Sequence, residues 1–135
     1  MGRAFPPLDQ TVLIVESNAV IGIDVADYLE AEGYTVAGPF ACAGALHWLS
    51  ARTPWAALLD VDLQSGACVD LARELRRREV PILVFSAYAR RFALPEFRDV
   101  PWVPLPSPFS AIGSTLDELL GADRRMCDPP DELRA

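Results

Sequence analysis

The chain has 135 residues, of which 51% are hydrophobic, so we expect one globular domain with one core and no room for a second domain. Its 19 acidic and 12 basic residues give a formal net charge of −7, which argues against nucleic-acid binding and favours protein, metal or cationic partners. No apolar run approaches the roughly 20 residues that a membrane-spanning helix needs, and the first residues lack the apolar segment of a signal peptide, so we expect a cytoplasmic protein.

Five short segments rich in apolar and β-branched residues predict five strands. They are residues 11–16, 34–40, 55–60, 81–86 and, more weakly, 101–106. Between them apolar residues recur at helical spacing, with Asn18 and Ser110 as expected N-caps and Gly33 and Gly121 as expected helix ends. Pro95 interrupts the stretch between the fourth and fifth strands, so we expect a short or irregular fourth helix there.

The alternation of strands and helices predicts the fold class. Strands that are apolar on both faces indicate a parallel sheet covered on both sides, so we expect a doubly wound α/β domain. The expected class is the flavodoxin-like (βα)5 sandwich with strand order 2-1-3-4-5. We expect the domain at residues 11–121, a flexible N-terminus at 1–10 and a polar, disordered tail at 122–135 that is too short for an output domain.

Acidic and hydroxyl residues stand at the ends of the predicted strands. Glu16 and Ser17 close the first strand. Asp60 ends the third and is followed by Asp62, and Ser86 ends the fourth. The carboxyl ends of the strands form the binding crevice in this fold, where the first and third strands are neighbours. We therefore expect Glu16 and Asp60 in one crevice, with Asp60 and the backbone carbonyl of Asp62 within reach of one Mg²⁺.

The order of these motifs carries a family resemblance. The motifs are TVLIVES (11–17) with its single acid, LLDVDL (58–63), FSAY (85–88) and the Pro-Phe pair at 108–109. With them the chain resembles the receiver domain of bacterial response regulators over about residues 11–120, and most of all receivers that stand alone. The resemblance implies a phosphoprotein of a two-component (phosphorelay) signalling system, without enzymatic output, in which a histidine kinase phosphorylates the receiver in the presence of Mg²⁺.

The resemblance also implies a role for each site residue. Asp60 matches the phosphoacceptor, and Glu16 matches the first of two metal-binding acids. Asp62 matches the position whose backbone carbonyl ligates the metal. Ser86 matches the hydroxyl that bonds the phosphoryl group, and Tyr88 stands near the switch aromatic.

Two positions depart from the family pattern. Ser17 stands in place of the second acid, and Ser107 stands in place of the lysine before Pro108, whose preceding peptide is usually cis in the family. A unit charge pair near 4 Å is worth roughly 4 kcal/mol at an effective dielectric constant of 20, an upper guide because desolvation opposes it. We therefore expect Mg²⁺ binding and phosphorylation to be weak or absent. Arg90 or Arg91 could replace the missing lysine's charge.

Three functions remain open. The first is a pseudo-receiver that docks partners, the second is a receiver that Asp60 phosphorylation still switches, and the third is a small flavin- or nucleotide-binding domain. The third would need a phosphate-cradling loop after the first strand, which ESNAVIG (16–22) hardly provides. By resemblance, the partner is a histidine kinase or another signalling protein. A homodimer through the face of the fourth helix, fifth strand and fifth helix is the other possible assembly.

Several other residues are expected to be structural. Cys42, Cys68 and Cys127 form no C-x-x-C pair, so we expect neither a zinc site nor a redox pair and interpret Cys42 and Cys68 as small apolar residues. His47 has no companion ligand nearby, so it predicts no metal site. Residues 76–78, all arginine, end the third predicted helix, where cations complement the helix dipole.

Overall fold

The structure is a computed structural model that describes residues 11–60, 66–86, 95–97, 99–105 and 107–127. Its elements alternate along the chain as predicted. They are β1 (Thr11–Glu16), α1 (Ala19–Ala31), β2 (Thr35–Phe40), α2 (Cys42–Leu49), β3 (Ala56–Asp60), α3 (Gly66–Arg77), β4 (Ile82–Ser86), a 3₁₀ helix (Pro95–Phe97), β5 (Trp102–Pro104) and α4 (Phe109–Cys127). None of the helices in these ranges is long and apolar enough to cross a membrane.

The five strands form one parallel sheet in the order β2-β1-β3-β4-β5, so the predicted fold class and strand order are confirmed. Alternate residues of β1 face opposite sides of the sheet. Leu13 and Val15 belong to a cluster with α2 and α3, whereas Val12 and Ile14 belong to a cluster with α1 and α4. The single expected core is thus two apolar clusters, one on each face of the sheet.

Helix α1 begins and ends where the sequence predicts. The side chain of Asn18 accepts hydrogen bonds from the backbone N–H groups of Val20 and Ile21, as an N-cap does. Glu32 is the C-cap, and Gly33 follows it at a φ of +96°, a left-handed conformation that glycine adopts without a steric penalty.

Helix α4 differs from the prediction at both ends. It begins at Phe109, so Ser110 lies inside the helix and is not its N-cap. Pro108 precedes the first turn. This position suits proline, because its φ is fixed and it has no N–H group to leave unpaired. The helix also continues past Gly121 to Cys127. One glycine costs a helix only about 1 kcal/mol relative to alanine, which is too little to end it.

Only part of the segment between β4 and β5, where Pro95 predicts a short or irregular helix, lies within the described residues. The described part is the single 3₁₀ turn Pro95–Phe97, and Phe97 is fully buried against α3. Strand β5 has three residues instead of the predicted six, because its prolines cannot donate ladder hydrogen bonds. The expected cis peptide before Pro108 is not found, and the cis peptide within the described ranges is Gly38–Pro39.

A disulfide joins Cys42 and Cys68, which corrects the interpretation of both as isolated apolar residues. They are 26 residues apart in sequence, yet their Cα atoms are 5.1 Å apart because α2 and α3 pack side by side on one face of the sheet. Such a separation lies within the range that a disulfide spans. Sequence spacing carries no signal of this proximity.

Candidate functional site

Three of the residues singled out in the sequence come together at the carboxyl edge of the sheet. Glu16 and Asp60 are register partners on the neighbouring strands β1 and β3. Ser86 ends β4 on the other side of β3, and its hydroxyl donates a hydrogen bond to the Asp60 carboxyl group. Glu16 and Ser86 are buried, whereas Asp60 is half-buried.

The start of α1 holds the carboxyl group of Glu16 in place. The backbone N–H of Asn18 donates to Glu16 Oε1 at 2.8 Å, while the Asn18 side chain caps the helix. Sequence reasoning identified Asn18 as a cap and missed this second role. Glu16 Oε2 is buried and receives no hydrogen bond from the residues that the structure describes.

The two carboxyl groups interact, and the interaction favours the protonated form of Asp60. Burial, followed by the hydrogen bond and charge repulsion from Glu16, raises the pKa of Asp60 from 3.8 to about 8, and the Ser86 hydroxyl opposes the rise. Two ionised carboxylates cannot hydrogen-bond to each other, so a bond between them requires a proton on one of them. A protonated Asp60 meets this requirement and relieves the repulsion between the two groups.

The site suits a cation but offers it few ligands. The described ion pairs join Arg76 to Asp99 and Arg77 and Arg78 to Glu74, and within the described ranges none involves Glu16 or Asp60. A buried carboxylate oxygen without a donor, facing a second carboxyl group, fits a hard cation that prefers oxygen ligands. However, the described residues contain no group of three or more acidic, histidine or cysteine side chains placed to hold a metal.

The two unusual positions add neither charge nor donor to the site. The side chain of Ser17 is exposed. The Ser107 hydroxyl donates to the backbone carbonyl of Pro104, so its proton is used within the connection after β5. Asp62, Tyr88, Arg90 and Arg91 lie outside the described residues. Their expected roles therefore remain predictions.

The arginine run at the end of α3 has structural partners. Arg78 donates to the backbone carbonyls of Leu49 and Arg52 and to the Thr53 hydroxyl, and it is paired with Glu74. The first of these carbonyls belongs to the last residue of α2, so Arg78 caps that helix. This function is more specific than the dipole effect that the sequence predicts.

No protein-family model matches the chain. Among curated proteins it is similar to the transcriptional regulatory protein PdtaR of Mycobacterium tuberculosis, with 31% identity over 93 residues. The matched region covers 65% of this chain and 44% of PdtaR, so the chain spans less than half the length of that relative.

Solved structures superpose on most of the chain. The BeF3-activated form of SdrG from Pseudomonas melonis has 29% identity and a TM-score of 0.67, and the match covers 82% of this chain and 96% of that one. A response regulator receiver domain from Methylobacillus flagellatus has 20% identity and a TM-score of 0.67, covering 82% and 98%. TrrA of Thermotoga maritima, in complex with Mg²⁺-BeF, has 18% identity and a TM-score of 0.71, covering 82% and 99%. The resemblance derived from the motifs is thus confirmed.

Proposed function

We propose, for a chain that has the fold and the sequence resemblance of a response-regulator receiver domain, that it is a pseudo-receiver of two-component signalling that acts through protein contacts. The observation that carries the proposal is the pair of facing carboxyl groups of Glu16 and Asp60, in which Asp60 has a raised pKa. An acceptor carboxyl that is protonated near neutral pH is a poor nucleophile. Its surroundings also lack the second acid and the lysine, because Ser17 and Ser107 occupy those positions.

Glu16 and Asp60 would hold Mg²⁺, with the backbone carbonyl of Asp62 as the third expected ligand. When bound, the ion supplies positive charge that offsets the negative charge of phosphoryl oxygens. The chain's own residues do the remaining work. Asn18 fixes the Glu16 carboxylate, and Ser86 orients the Asp60 oxygen that would attack. With one acid missing, we propose that the ion binds weakly.

The second candidate is a receiver that a histidine kinase still switches through Asp60. The placement of Asp60 between Glu16 and Ser86 favours it, because these three residues keep the arrangement that phosphoryl acceptance needs. Tyr88 would then transmit the change. Under either candidate we propose a cytoplasmic protein that binds a histidine kinase or another signalling protein, not nucleic acid. The face of β5 and α4 would serve for such a partner or for a second copy.

The test is intact mass after incubation with a small-molecule phosphodonor and Mg²⁺, beside Asp60→Asn. The pseudo-receiver proposal expects no gain of a phosphoryl group in either protein. A gain in the parent protein that Asp60→Asn abolishes would instead establish the switched receiver. A gain that Asp60→Asn retains would place the modification elsewhere.

Restoring the missing charges tests whether lost charge or altered backbone geometry is the cause of weak Mg²⁺ binding and phosphorylation. The double variant Ser17→Asp with Ser107→Lys should bind Mg²⁺ more tightly and become phosphorylated, by at least tenfold each, since about 1.4 kcal/mol of restored interaction corresponds to a factor of ten. Calorimetric titration with Mg²⁺ measures the first effect and intact mass the second. If the double variant stays silent with the fold retained, the lost charges are not the cause.

A further inference from the structure

A pair of bonded cysteines lies at the same edge of the sheet as the candidate site. Cys42 is the first residue of α2, which follows the end of β2, and Cys68 lies in the first turn of α3, which follows β3. Both helices therefore start at the carboxyl edge of the sheet. The bond crosses between them where their first turns are adjacent, and it joins two neighbouring βα units of the fold.

We expect the fold to persist without this bond. Both faces of the sheet carry a complete apolar cluster, and the cluster under α2 and α3 includes Leu49, Leu71 and Leu75, which are at most 2% exposed. Domains that need disulfides to fold are small and have little core. A bond that is dispensable for folding can open and close while the domain stays folded.

The chemical setting also allows exchange. Cys42 and Cys68 are 7% and 5% exposed, so the sulfur region is shielded but not sealed. Each cysteine lies in the first turn of its helix, where unpaired backbone N–H groups favour the anionic sulfur through which exchange proceeds. Their Cα separation of 5.1 Å in the bonded state lies within the ordinary range for a disulfide.

We propose that Cys42 and Cys68 form a reversible dithiol–disulfide pair, so that the redox state of the surroundings decides whether the first turns of α2 and α3 are covalently joined. The oxidant is a low-molecular-weight disulfide. One protein thiolate attacks it, forms a mixed disulfide and releases one small thiolate. The second protein thiolate then attacks the protein sulfur of the mixed disulfide, closes the Cys42–Cys68 bond and releases the second small thiolate.

Two electrons leave the protein thiols and reduce the small disulfide to two thiols, and the two thiol protons go to the released thiolates or to solvent. Reduction by the same class of thiol reverses both steps. The pair acts independently of the acidic site, so the proposal holds whether or not Asp60 accepts a phosphoryl group.

The test incubates the folded full chain in glutathione buffers that range from fully reduced to fully oxidised, with acid quenching and alkylation of the remaining thiols. We expect the intact mass in oxidising buffers to fall by two hydrogen atoms, with one thiol left to alkylate. Protease digestion should then give one linked pair of peptides, which contain Cys42 and Cys68. The midpoint should lie within the buffer range, and the reduced buffers should restore three alkylatable thiols.

Cys127→Ser is the matched control, because Cys127 ends α4 and takes no part in the Cys42–Cys68 bond. This variant should still close its bond, whereas Cys42→Ala and Cys68→Ala should stop at a mixed disulfide with glutathione. Backbone hydrogen exchange in α2 and at the start of α3 should be several-fold slower when the parent protein is oxidised than when it is reduced.

Three results would overturn the proposal. They are a bond that never forms in the folded chain, linked peptides that contain Cys127, and a bond that resists every buffer until the chain unfolds. The peptide map of the parent protein decides among these outcomes even if an alanine variant does not fold.

Discussion

At the scale of single residues, the raised pKa of Asp60 beside Glu16 makes the stability of the fold depend on pH. The folded state raises the pKa of Asp60 to about 8, so between its ordinary value of 3.8 and about 8 the folded chain holds a proton that the unfolded chain releases. Stability therefore falls as pH rises through this window, because the native state binds more protons. Above about 8 the full cost of two facing carboxylates remains.

Asp60→Asn should stabilise the protein at high pH. The asparagine amide can donate to Glu16 Oε2 without carrying charge, so we expect a gain of about 1–2 kcal/mol at pH 8.5 and little change near pH 4. This figure lies well below the full linkage value because Asp60 is only half-buried and solvent screens its charge. Urea unfolding at both pH values measures the difference.

Asp24→Asn is the control for that experiment, because Asp24 is an exposed carboxylate on α1. It should shift the free energy of unfolding by no more than a few tenths of a kcal/mol at either pH. Equal gains in the free energy of unfolding at both pH values for Asp60→Asn would contradict a raised pKa of Asp60 in the folded chain.

At the scale of elements, helix ends are held by contacts that sequence periodicity does not report. The Asn18 cap was predictable because an N-cap is a local signal. The Arg78 cap of α2 was not, because it links the end of one helix to the end of another across a packed interface. The Cys42–Cys68 bond escaped prediction for the same reason.

Arg78→Ala should cost about 1–3 kcal/mol of stability, because it removes the donor from the Leu49 carbonyl in a partly buried setting and from the exposed Arg52 carbonyl. Arg77→Ala is the matched control. Arg77 pairs with the same Glu74, but its side chain is 70% exposed, so its loss should cost far less than the loss of Arg78. Thermal and urea unfolding of both variants test this, and equal losses would contradict the capping role.

A close approach of two elements fixes the position of α1 beside the site. A Cβ added at Gly22 would lie 2.6 Å from Pro39 Cβ and 3.5 Å from Glu16 Cβ. Gly22→Ala should therefore push α1 away from the end of β2 and cost about 1–3 kcal/mol, despite the better helix propensity of alanine. Gly66→Ala, where a Cβ would meet nothing within 4 Å, should be neutral or stabilising in the same unfolding assay.

At the scale of the whole molecule, the fold was predictable from the sequence. The sequence predicted which residues meet at the site but not all of the interactions between them. Strand ends set the carboxyl edge, so the proximity of Glu16, Asp60 and Ser86 followed from the strand order. The raised pKa of Asp60 and the hydrogen bond from the Ser107 hydroxyl to the Pro104 carbonyl depend on distances in the folded chain. Spacing along the chain does not contain those distances.

A hydrogen bond from the Tyr34 hydroxyl to Asp117 Oδ1 at 2.6 Å links the connection between α1 and β2 to α4. Tyr34→Phe should cost about 1–3 kcal/mol, because the bond has a charged acceptor and is partly buried. Tyr28→Phe is the control, since the Tyr28 ring packs on Phe109 and its hydroxyl has no hydrogen bond among the described residues. Urea unfolding should rank the two variants, and a larger loss for Tyr28→Phe would argue against the link.

The position of α4 has a consequence for synthesis on the ribosome. Ile112, Leu116 and Leu120 of α4 cover the face of the sheet that Val12 and Ile14 of β1 present. Because β1 is made before α4, part of this face stays open until α4 has left the ribosomal tunnel. A nascent chain stalled before α4 should bind chaperones and resist compaction, because exposed apolar surface of this kind is what they recognise.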